Sequence, residues 1–521
     1  MLARGAERDR YHAASVAATV AASVGAAALS GLLAGCSAYA YSDDPLPYKG
    51  APAPASRATF DVVPRGKPDV LVLLAMSGGG SRAAYFGGSV MLELQSVFPE
   101  LDVLKEVDAI SSVSGGSLPA AYYCVSRDPG DPKDRAVSGR VWEPEEVREL
   151  MSRNYILRLF GNFFWPTNIV LYYSTAFDRA DIMSQTFADN MFDRKMGGRD
   201  LLLGELNAER PCLILNSTDA TQNRVGKTLP DGTVQPAEQH YGSVFTFTTE
   251  DFTNKLGADI NQYSVARAVM ATACFPSVFP YMTLRDWREL RGPEERYVHV
   301  FDGGNSDNLG LVSFERLLHD VKEKWPEARR PKSILVISID AYTQPRGVDR
   351  DKADPRTFTD YIVDHNFLDA VDALLGRNRY EVLKRFVKDE AEQEDLRNQQ
   401  IEDAPVQQLA PGEPDVAQQI KDAVQREPEK TPPPAPAPPL APEPLDELRA
   451  GWEPRDLPEL TFWHIQFRDV ADKDVRARVN KIPTNFTLPD DQAAADLDAA
   501  AHDLVHNAKA LPRVRRALRL P

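Results

Sequence analysis

Ser114 is the residue whose surroundings best suit a nucleophile. It lies in Ser112-Val113-Ser114-Gly115-Gly116, after a predicted strand and at the start of a predicted helix. A nucleophile elbow needs small residues two positions before and after the serine, because the backbone there is strained and the hydroxyl must project from the sheet. Gly116 meets this requirement, whereas Ser112 stands where glycine is usual. Taken alone, the motif is also compatible with a serine-rich helix start.

Asp302 is the carboxylate that we expect to act as the base. It opens Asp302-Gly303-Gly304 at the end of a predicted strand. An aspartate in water has a pKa near 3.9 and is a weak base at neutral pH, but burial raises that pKa toward the range of a general base. Gly303 and Gly304 leave room for a close approach to the serine. A turn-capping aspartate is the alternative, with Asp307 and Asp219 as fallback carboxylates.

A glycine-rich turn between a strand and a helix supplies the third candidate group. Glycines bring bare amide groups close to a ligand, and the start of a helix favours negative charge. We therefore expect an oxyanion hole here, with Arg82 orienting the turn or adding positive potential. The same letters, Gly78-x-Gly80-x-x-Ala83, match a dinucleotide fingerprint, so the turn alone does not choose between the two sites. The predicted oxyanion residues are Gly78, Gly79, Gly80 and Ser81.

Histidines and cysteines suggest no further chemistry. None of the eight histidines falls in these motifs, although a triad that recruits a distant histidine such as His464 stays an alternative. No metal-ligand cluster is evident among them, and we expect neither a metal nor a cofactor. Cys124, Cys212 and Cys274 lie in apolar stretches and are expected to be small buried hydrophobic residues.

Predicted buried strands alternate with predicted helices along the chain. This pattern predicts an α/β fold with a mostly parallel sheet, which would position these groups. The expected strands are Asp69–Met76, Val107–Val113, Cys212–Asn216, Tyr297–Phe301, Ser333–Ile339 and Thr461–Phe467. The expected helices include Ser81–Val97, Arg377–Asp403 and Asp490–Leu511.

Two segments interrupt this alternation. Residues 140–200 are rich in aromatic side chains but too broken by polar residues and proline for a membrane-spanning helix. They are either a lid or lipid-contacting patch, or an ordinary helical insertion. Residues 427–458 are so rich in proline that an extended, exposed loop is expected.

The N-terminus has the form of a targeting segment. Early arginines and an uncharged apolar run end at Leu33-Ala34-Gly35-Cys36, which resembles the lipobox of bacterial lipoproteins. The resemblance implies a signal peptide over residues 1–35 and a lipidated Cys36. Ser37 after the cysteine implies an outer-membrane anchor facing the periplasm. A plain apolar anchor or secretory signal is the alternative, and residues 36–66 are expected to form a tether.

In their order along the chain, the three motifs resemble the patatin-like phospholipases. Asn216-Ser217-Thr218-Asp219 and the stretch from Ala268 to Pro276 resemble further segments of that family. The resemblance covers roughly residues 70–311. It implies a three-layer sandwich within a domain over residues 67–521, and a Ser114–Asp302 dyad that works without histidine.

The same resemblance implies a serine acyl hydrolase of the phospholipase A or lysophospholipase type, acting on membrane phospholipids or other acyl esters through an acyl-enzyme. A general carboxylesterase or thioesterase is one alternative, and a catalytically inactive lipid-binding lipoprotein is another. The net charge of −16, without a cluster of Lys and Arg, argues against a nucleic-acid partner.

Overall fold

The computed structural model describes residues 43–48, 51–132, 136–193, 199–228, 234–235, 237–276, 278–288, 296–343, 365–387 and 459–521. The predicted signal peptide over residues 1–35, Cys36 and the proline-rich loop over residues 427–458 lie outside the described residues.

An eight-stranded sheet forms the centre of the fold. Its strands are β1 (Val70–Met76), β2 (Ala109–Val113), β3 (Cys212–Asp219), β4 (Val244–Phe247), β5 (Met282–Asp286), β6 (Arg296–Asp302), β7 (Ser333–Asp340) and β8 (Leu460–Gln466). The spatial order is β8-β7-β1-β2-β3-β6-β5, and β4 also pairs with β3. The strands from β8 to β3 are parallel. The predicted mostly parallel sheet is confirmed.

The sheet becomes antiparallel beyond β3. β6 pairs antiparallel with both β3 and β5, and β4 pairs antiparallel with β3. β4 and β5 were not predicted from the sequence. β4 spans only four residues, and β5 carries Thr283, Arg285 and Asp286 among its five, so neither has the long apolar run of a central parallel strand.

Helices cover both faces of the sheet. They are α1 (Gly80–Leu94), α2 (Val103–Glu106), α3 (Ser117–Val125), α4 (Pro144–Ser152), α5 (Tyr155–Phe163), α6 (Pro166–Ser174), α7 (Arg179–Phe187), α8 (Val265–Thr272), α9 (Gly304–Asp307), α10 (Val312–Glu323), α11 (His365–Phe386), α12 (Lys473–Val479), α13 (Asp491–His506) and α14 (Leu511–Ala517). Shorter elements are the helix Thr249–Asp251 and the paired strands Asp44–Pro45 with Ala258–Asp259 and Lys227–Thr228 with Val234–Gln235.

The burial pattern of β1 shows why three layers form. Val72 and Leu74 belong to the core on one face, together with side chains of α1, α3, α8 and α13. Leu71 and Leu73 belong to the core on the other face, together with side chains of α10 and α11. Because successive side chains of a strand point to opposite faces, an uninterrupted apolar strand requires cover on both sides. The sheet therefore lies between two helical layers, as the fold class predicted.

Two predicted helices have different bounds in the structure. The final helix ends at His506, and a separate helix begins at Leu511, next to Pro512. Pro512 lacks an amide hydrogen and suits the first turn of a new helix rather than the interior of a long one. The helix predicted over Arg377–Asp403 begins earlier, at His365, and ends at Phe386, and residues 388–403 of that prediction lie outside the described residues. No helix in the described ranges is both long and apolar enough to cross a bilayer.

Part of the predicted tether packs on the domain. Ala58, Phe60 and Val62 are buried, the Leu213 amide donates to the Arg57 carbonyl at 2.8 Å, and the Thr249 amide donates to the Ala58 carbonyl at 2.8 Å. Alternating apolar residues allow this segment to lie along the core. Residues 57–62 therefore belong to the folded domain and are not a free linker.

Candidate active site

Ser114 occupies a sharp turn between β2 and α3. β2 ends at Val113, and Ser114 has a φ of 50°, a conformation that residues other than glycine rarely adopt. A short 3₁₀ turn over Ser114–Gly116 then leads into α3. A Cβ atom at Gly115 would lie 2.0 Å from the Gly80 carbonyl oxygen, so the turn needs glycine there. These features are those of a nucleophile elbow.

Asp302 reaches the same level of the sheet from the other side of β3. Val113 is in register with Asn216, and Asp302 is in register with Ser217. The chain then turns over β3, where a Cβ atom at Gly303 would lie 2.2 Å from the Asn216 carbonyl oxygen. Glycine at this position therefore allows the backbone to cross the strand that separates Asp302 from the elbow.

The two side chains are hydrogen-bonded. Ser114 Oγ donates to Asp302 Oδ2 at 2.8 Å, and the Gly304 amide donates to Asp302 Oδ1 at 2.8 Å. Burial raises the pKa of Asp302 to about 6, although these two hydrogen bonds favour the ionised form. At neutral pH the carboxylate is ionised and close enough to accept the serine proton, which is the geometry of a general base.

The additional segments of family resemblance hold the backbone of Asp302. Thr218 Oγ1 donates to the Asp302 carbonyl oxygen at 2.8 Å. The Asp302 amide donates to the Cys274 carbonyl at 3.0 Å, and the Gly303 amide donates to the Thr272 carbonyl at 3.2 Å. The sequence analysis gave these segments no role, and in the structure they hold the backbone of Asp302 and Gly303 in place.

Two of the four predicted oxyanion amides have partners inside the protein. The Gly78 amide donates to the Asn308 carbonyl at 3.0 Å, and the Ser81 amide donates to the Asn485 carbonyl at 2.6 Å. These two amides shape the turn and are not available to an oxyanion. Neither carbonyl partner was predicted, because each comes from a distant loop.

Gly79 and Gly80 are the predicted amides that the turn leaves for a ligand. Their φ angles are 138° and 60°, which favour glycine. Among the described residues, neither amide donates to a backbone carbonyl. Gly80 is also the first residue of α1, a helix of 15 residues, so the positive end of the helix dipole lies at this turn.

The Arg82 side chain holds the glycine turn in place through three hydrogen bonds. Its Nε donates to the Ala341 carbonyl at 2.9 Å, one terminal nitrogen to the Ile482 carbonyl at 2.5 Å, and the other to Thr484 Oγ1 at 3.1 Å. The side chain is buried. Arg82 therefore joins the first turn of α1 to the end of β7 and to the loop at 482–484, which favours the predicted orienting role.

The alternative acid–base groups are engaged elsewhere. Asp307 accepts hydrogen bonds from the amides of Leu309 and Val312. His464 Nε2 lies 3.0 Å from Asp340 Oδ2. His299 Nδ1 lies 3.0 Å from Thr283 Oγ1, and burial lowers its pKa. Asp219 is likewise paired, with His240 Nδ1 at 3.5 Å. Among the described residues, no histidine contacts the Asp302 carboxylate.

A narrow apolar pocket opens beside Ser114. Most of its wall is aliphatic or aromatic. Tyr155 of α5 and Phe187 of α7 contribute to it, with ring centroids 5.5 Å apart, so the segment 140–200 forms part of the wall. The lining side chains other than those of the elbow and the glycine turn are Ala84, Leu118, Met151, Tyr155, Phe187, Ala273 and Phe486.

The same segment exposes apolar side chains outside the pocket. α4 and α7 bury most of their apolar residues, but α5 and α6 do not. We call these two helices and the two residues that join them, Tyr155–Ser174, the aromatic helix pair. Arg158 is the single charged residue between positions 154 and 177. The exposed side chains of the pair are Leu157, Phe160, Phe164, Trp165, Val170 and Tyr173.

Two solved structures resemble this chain at low sequence identity. VipD from Legionella pneumophila is 11% identical with a TM-score of 0.31, over 87% of this chain and 70% of that one. Human GIVD cytosolic phospholipase A2 is 13% identical with a TM-score of 0.39, over 87% of this chain and 60% of that one. No curated protein sequence matches. The family model for patatin-like phospholipases matches residues 74–314. This match contains the glycine turn, Ser114 and Asp302, and residues 74–314 are a patatin-like phospholipase domain.

Proposed function

We propose that the protein is a serine acyl hydrolase of the phospholipase A or lysophospholipase type, with Ser114 as the nucleophile and Asp302 as its base. The observation that carries this proposal is the 2.8 Å hydrogen bond from Ser114 Oγ to a buried Asp302 carboxylate. The strained backbone of Ser114 and the adjoining glycine turn support it.

In the first half-reaction, Asp302 Oδ2 accepts the proton of Ser114 Oγ while the oxygen attacks the ester carbonyl. The amides of Gly79 and Gly80, at the positive end of α1, stabilise the tetrahedral oxyanion. One such donor is commonly worth about 3 kcal/mol of barrier. Collapse of the tetrahedral intermediate breaks the ester bond, and the Asp302 proton passes to the leaving alcohol, so that the acyl group stays on Ser114.

In the second half-reaction, water replaces the alcohol. Asp302 takes a proton from the water, the hydroxide attacks the acyl-serine carbonyl, and the same amides stabilise the second oxyanion. Collapse returns the proton to Ser114 Oγ and releases the fatty acid. Every proton transfer uses one carboxylate, so the cycle needs neither histidine nor cofactor.

A membrane lipid is the substrate class that the surface favours. The pocket beside Ser114 is apolar, and Tyr155 links its wall to the aromatic helix pair. Exposed Trp and Tyr side chains suit the interface of a bilayer, where an amphipathic ring meets water and lipid at once. A soluble carboxylesterase or thioesterase has no need of such a surface. An inactive lipid-binding protein has no need of the dyad.

The cellular context forms part of the proposal. Residues 1–35 act as a lipoprotein signal peptide, lipidated Cys36 anchors the acyl hydrolase domain over residues 67–521, and the protein faces the periplasm at the outer membrane. The lipobox-like Leu33-Ala34-Gly35-Cys36 supports this arrangement. Cys36→Ala is expected to abolish incorporation of labelled fatty acid into the protein and to release the protein from isolated membranes.

Acyl release tests the activity itself. The full chain in detergent is assayed on phospholipid vesicles and on a short soluble ester, beside Ser114→Ala and Asp302→Asn. We expect fatty acid release from vesicles that both variants lose. Release from the short ester alone would favour the general esterase, and silence on both substrates would favour the inactive lipid-binding protein.

A further inference from the structure

Three side chains far apart in sequence meet on the helical layer that contains α1. Glu93 lies next to the last residue of α1, and His502 and His506 lie one turn apart at the end of α13. His502 Nδ1 is 3.1 Å and His506 Nε2 is 2.9 Å from the same oxygen, Glu93 Oε2. The potential ligand atoms of all three lie within 4.8 Å of one another.

Two imidazoles and one carboxylate are a ligand set that suits zinc. Bonds of about 2.0–2.1 Å at a tetrahedral ion place neighbouring ligand atoms about 3.3 Å apart. The observed 2.9 Å and 3.1 Å from the two histidines to Glu93 Oε2 are close to that spacing, so small side-chain movements open the site. The rings of His502 and His506 lie 4.5 Å apart, because residues at i and i+4 are neighbours on one helix face.

We propose that Glu93, His502 and His506 form a binding site for a divalent ion of the zinc class. His502 is about two-thirds exposed, at 64%, which leaves one side of the site open for a water as the fourth ligand. The other two ligands are mostly buried, with side-chain exposures of 19% for Glu93 and 25% for His506. Two fixed ligands and one adjustable ligand allow the ion to enter from solvent.

The ion would cross-link two helices, α1 and α13, that support the candidate active site. α1 begins at Gly80, beside Ser114, and ends at the cluster, while α13 packs along α1 and carries both histidines. An ion that binds the folded state and not the unfolded chain stabilises the fold by mass action. The cluster contains no residue of the dyad or the pocket. Metal binding can therefore be tested independently of the proposed acyl hydrolase function.

Two of the three proposed ligands, His502 and His506, could be recognised from the sequence. The spacing His502-x-x-x-His506 places two imidazoles on one helix face, but the sequence analysis found no metal-ligand cluster, because the third ligand is 409 residues from His502. Only the packing of α1 against α13 brings Glu93 to the histidines.

A zinc titration tests the site. The full chain in detergent is stripped with a chelator, dialysed, and titrated with ZnSO₄ by calorimetry, and its Tm is measured with and without Zn²⁺. We expect one ion per chain and a higher Tm with zinc. Loss of a ligand in His506→Ala or Glu93→Gln is expected to weaken binding by at least about tenfold and to remove most of the Tm increase.

His319→Ala is the matched control. His319 is a partly exposed helix histidine with Asp320 at 3.7 Å, but the described residues place no second histidine beside it. Zinc binding should be unchanged in this variant. If His506→Ala does not fold, His502→Ala, at an exposed position, replaces it. Binding that persists in His502→Ala and Glu93→Gln, or no stoichiometric binding by the parent protein, would overturn the proposal.

Discussion

Ser114 Oγ and Asp302 Oδ2 are 2.8 Å apart although their strands are separated by β3. The contact depends on register: Val113 and Asp302 lie opposite neighbouring residues of β3, Asn216 and Ser217. Gly303 then lets the chain cross that strand, which brings the Asp302 carboxylate to the serine.

The rate of acyl transfer should depend on the ionisation of Asp302. Burial raises its pKa to about 6, and only the ionised carboxylate accepts the serine proton. With a soluble ester, kcat/KM should therefore be constant above about pH 7 and fall about tenfold per pH unit below the pKa. A pH–rate profile for the parent protein checks this. A profile that is flat down to pH 4 would show that another group is the base.

The same burial makes Asp302 a source of instability at neutral pH. A carboxyl group whose pKa rises from 3.8 to about 6 on folding destabilises the fold once both states are ionised, and has no such effect below pH 3.8. Asp302→Asn should therefore raise the free energy of unfolding by up to about 3 kcal/mol above pH 7. The gain should disappear near pH 4.

Urea denaturation of the parent and Asp302→Asn at pH 4 and pH 8 measures the difference. Ser114→Ala serves as the control, because it also removes the activity but leaves the buried charge in place. An Asn variant no more stable than the parent protein at pH 8 would contradict the account of this carboxylate.

Arg82 should affect the turn and the fold together. Its removal leaves the carbonyls of Ala341 and Ile482 without a charged donor, so Arg82→Ala should lower the free energy of unfolding by about 3 kcal/mol. It should also lower kcat more than it changes KM, because the Gly79 and Gly80 amides lose their support. Arg515→Ala is the control, because that partly exposed residue pairs with Glu100 and the Pro521 carbonyl, outside the glycine turn, and should contribute less than about 1 kcal/mol. Equal effects of the two variants would remove the positioning role.

The aromatic helix pair should matter for vesicles and not for soluble substrates. Trp165 and Tyr173 are 64% and 77% exposed, and their replacement by serine removes interfacial surface without opening the core. Trp165→Ser with Tyr173→Ser should lower vesicle hydrolysis at least about tenfold and leave the rate on a soluble ester within about twofold.

Tyr241→Ser is the control for this prediction. Tyr241 has a comparable exposure of 67% but lies outside the pair. If the double variant loses both activities equally, the pair shapes the pocket instead of contacting lipid. If vesicle hydrolysis is unchanged, the pair has no interfacial role.

The parts of the fold that the sequence predicted are those in which local pattern and tertiary environment agree. β1 is uniformly apolar because it is covered on both faces, and the glycines at 79, 80 and 115 stand where positive φ or close contact excludes a side chain. Such constraints act on single residues, so they can be recognised without a structure.

The parts that were not predicted depend on contacts between distant segments. The Gly78 and Ser81 amides are ordinary members of a glycine turn until Asn308 and Asn485 pack against it. β4 is short, and its position is set by its pairing with β3. The burial of Phe60 and Val62 was likewise not predicted, because their segment has the composition of a linker. No periodicity within these segments specifies their partners.

Covalent labelling tests the central claim most directly. A fluorophosphonate reacts with an activated serine and forms a stable adduct, which peptide mass spectrometry locates. We predict one adduct, on Ser114, with a labelling rate that falls at least about a hundredfold in Asp302→Asn because the base is lost. An adduct on another residue, or labelling of Ser114 that is as fast in Asp302→Asn as in the parent protein, would contradict the dyad.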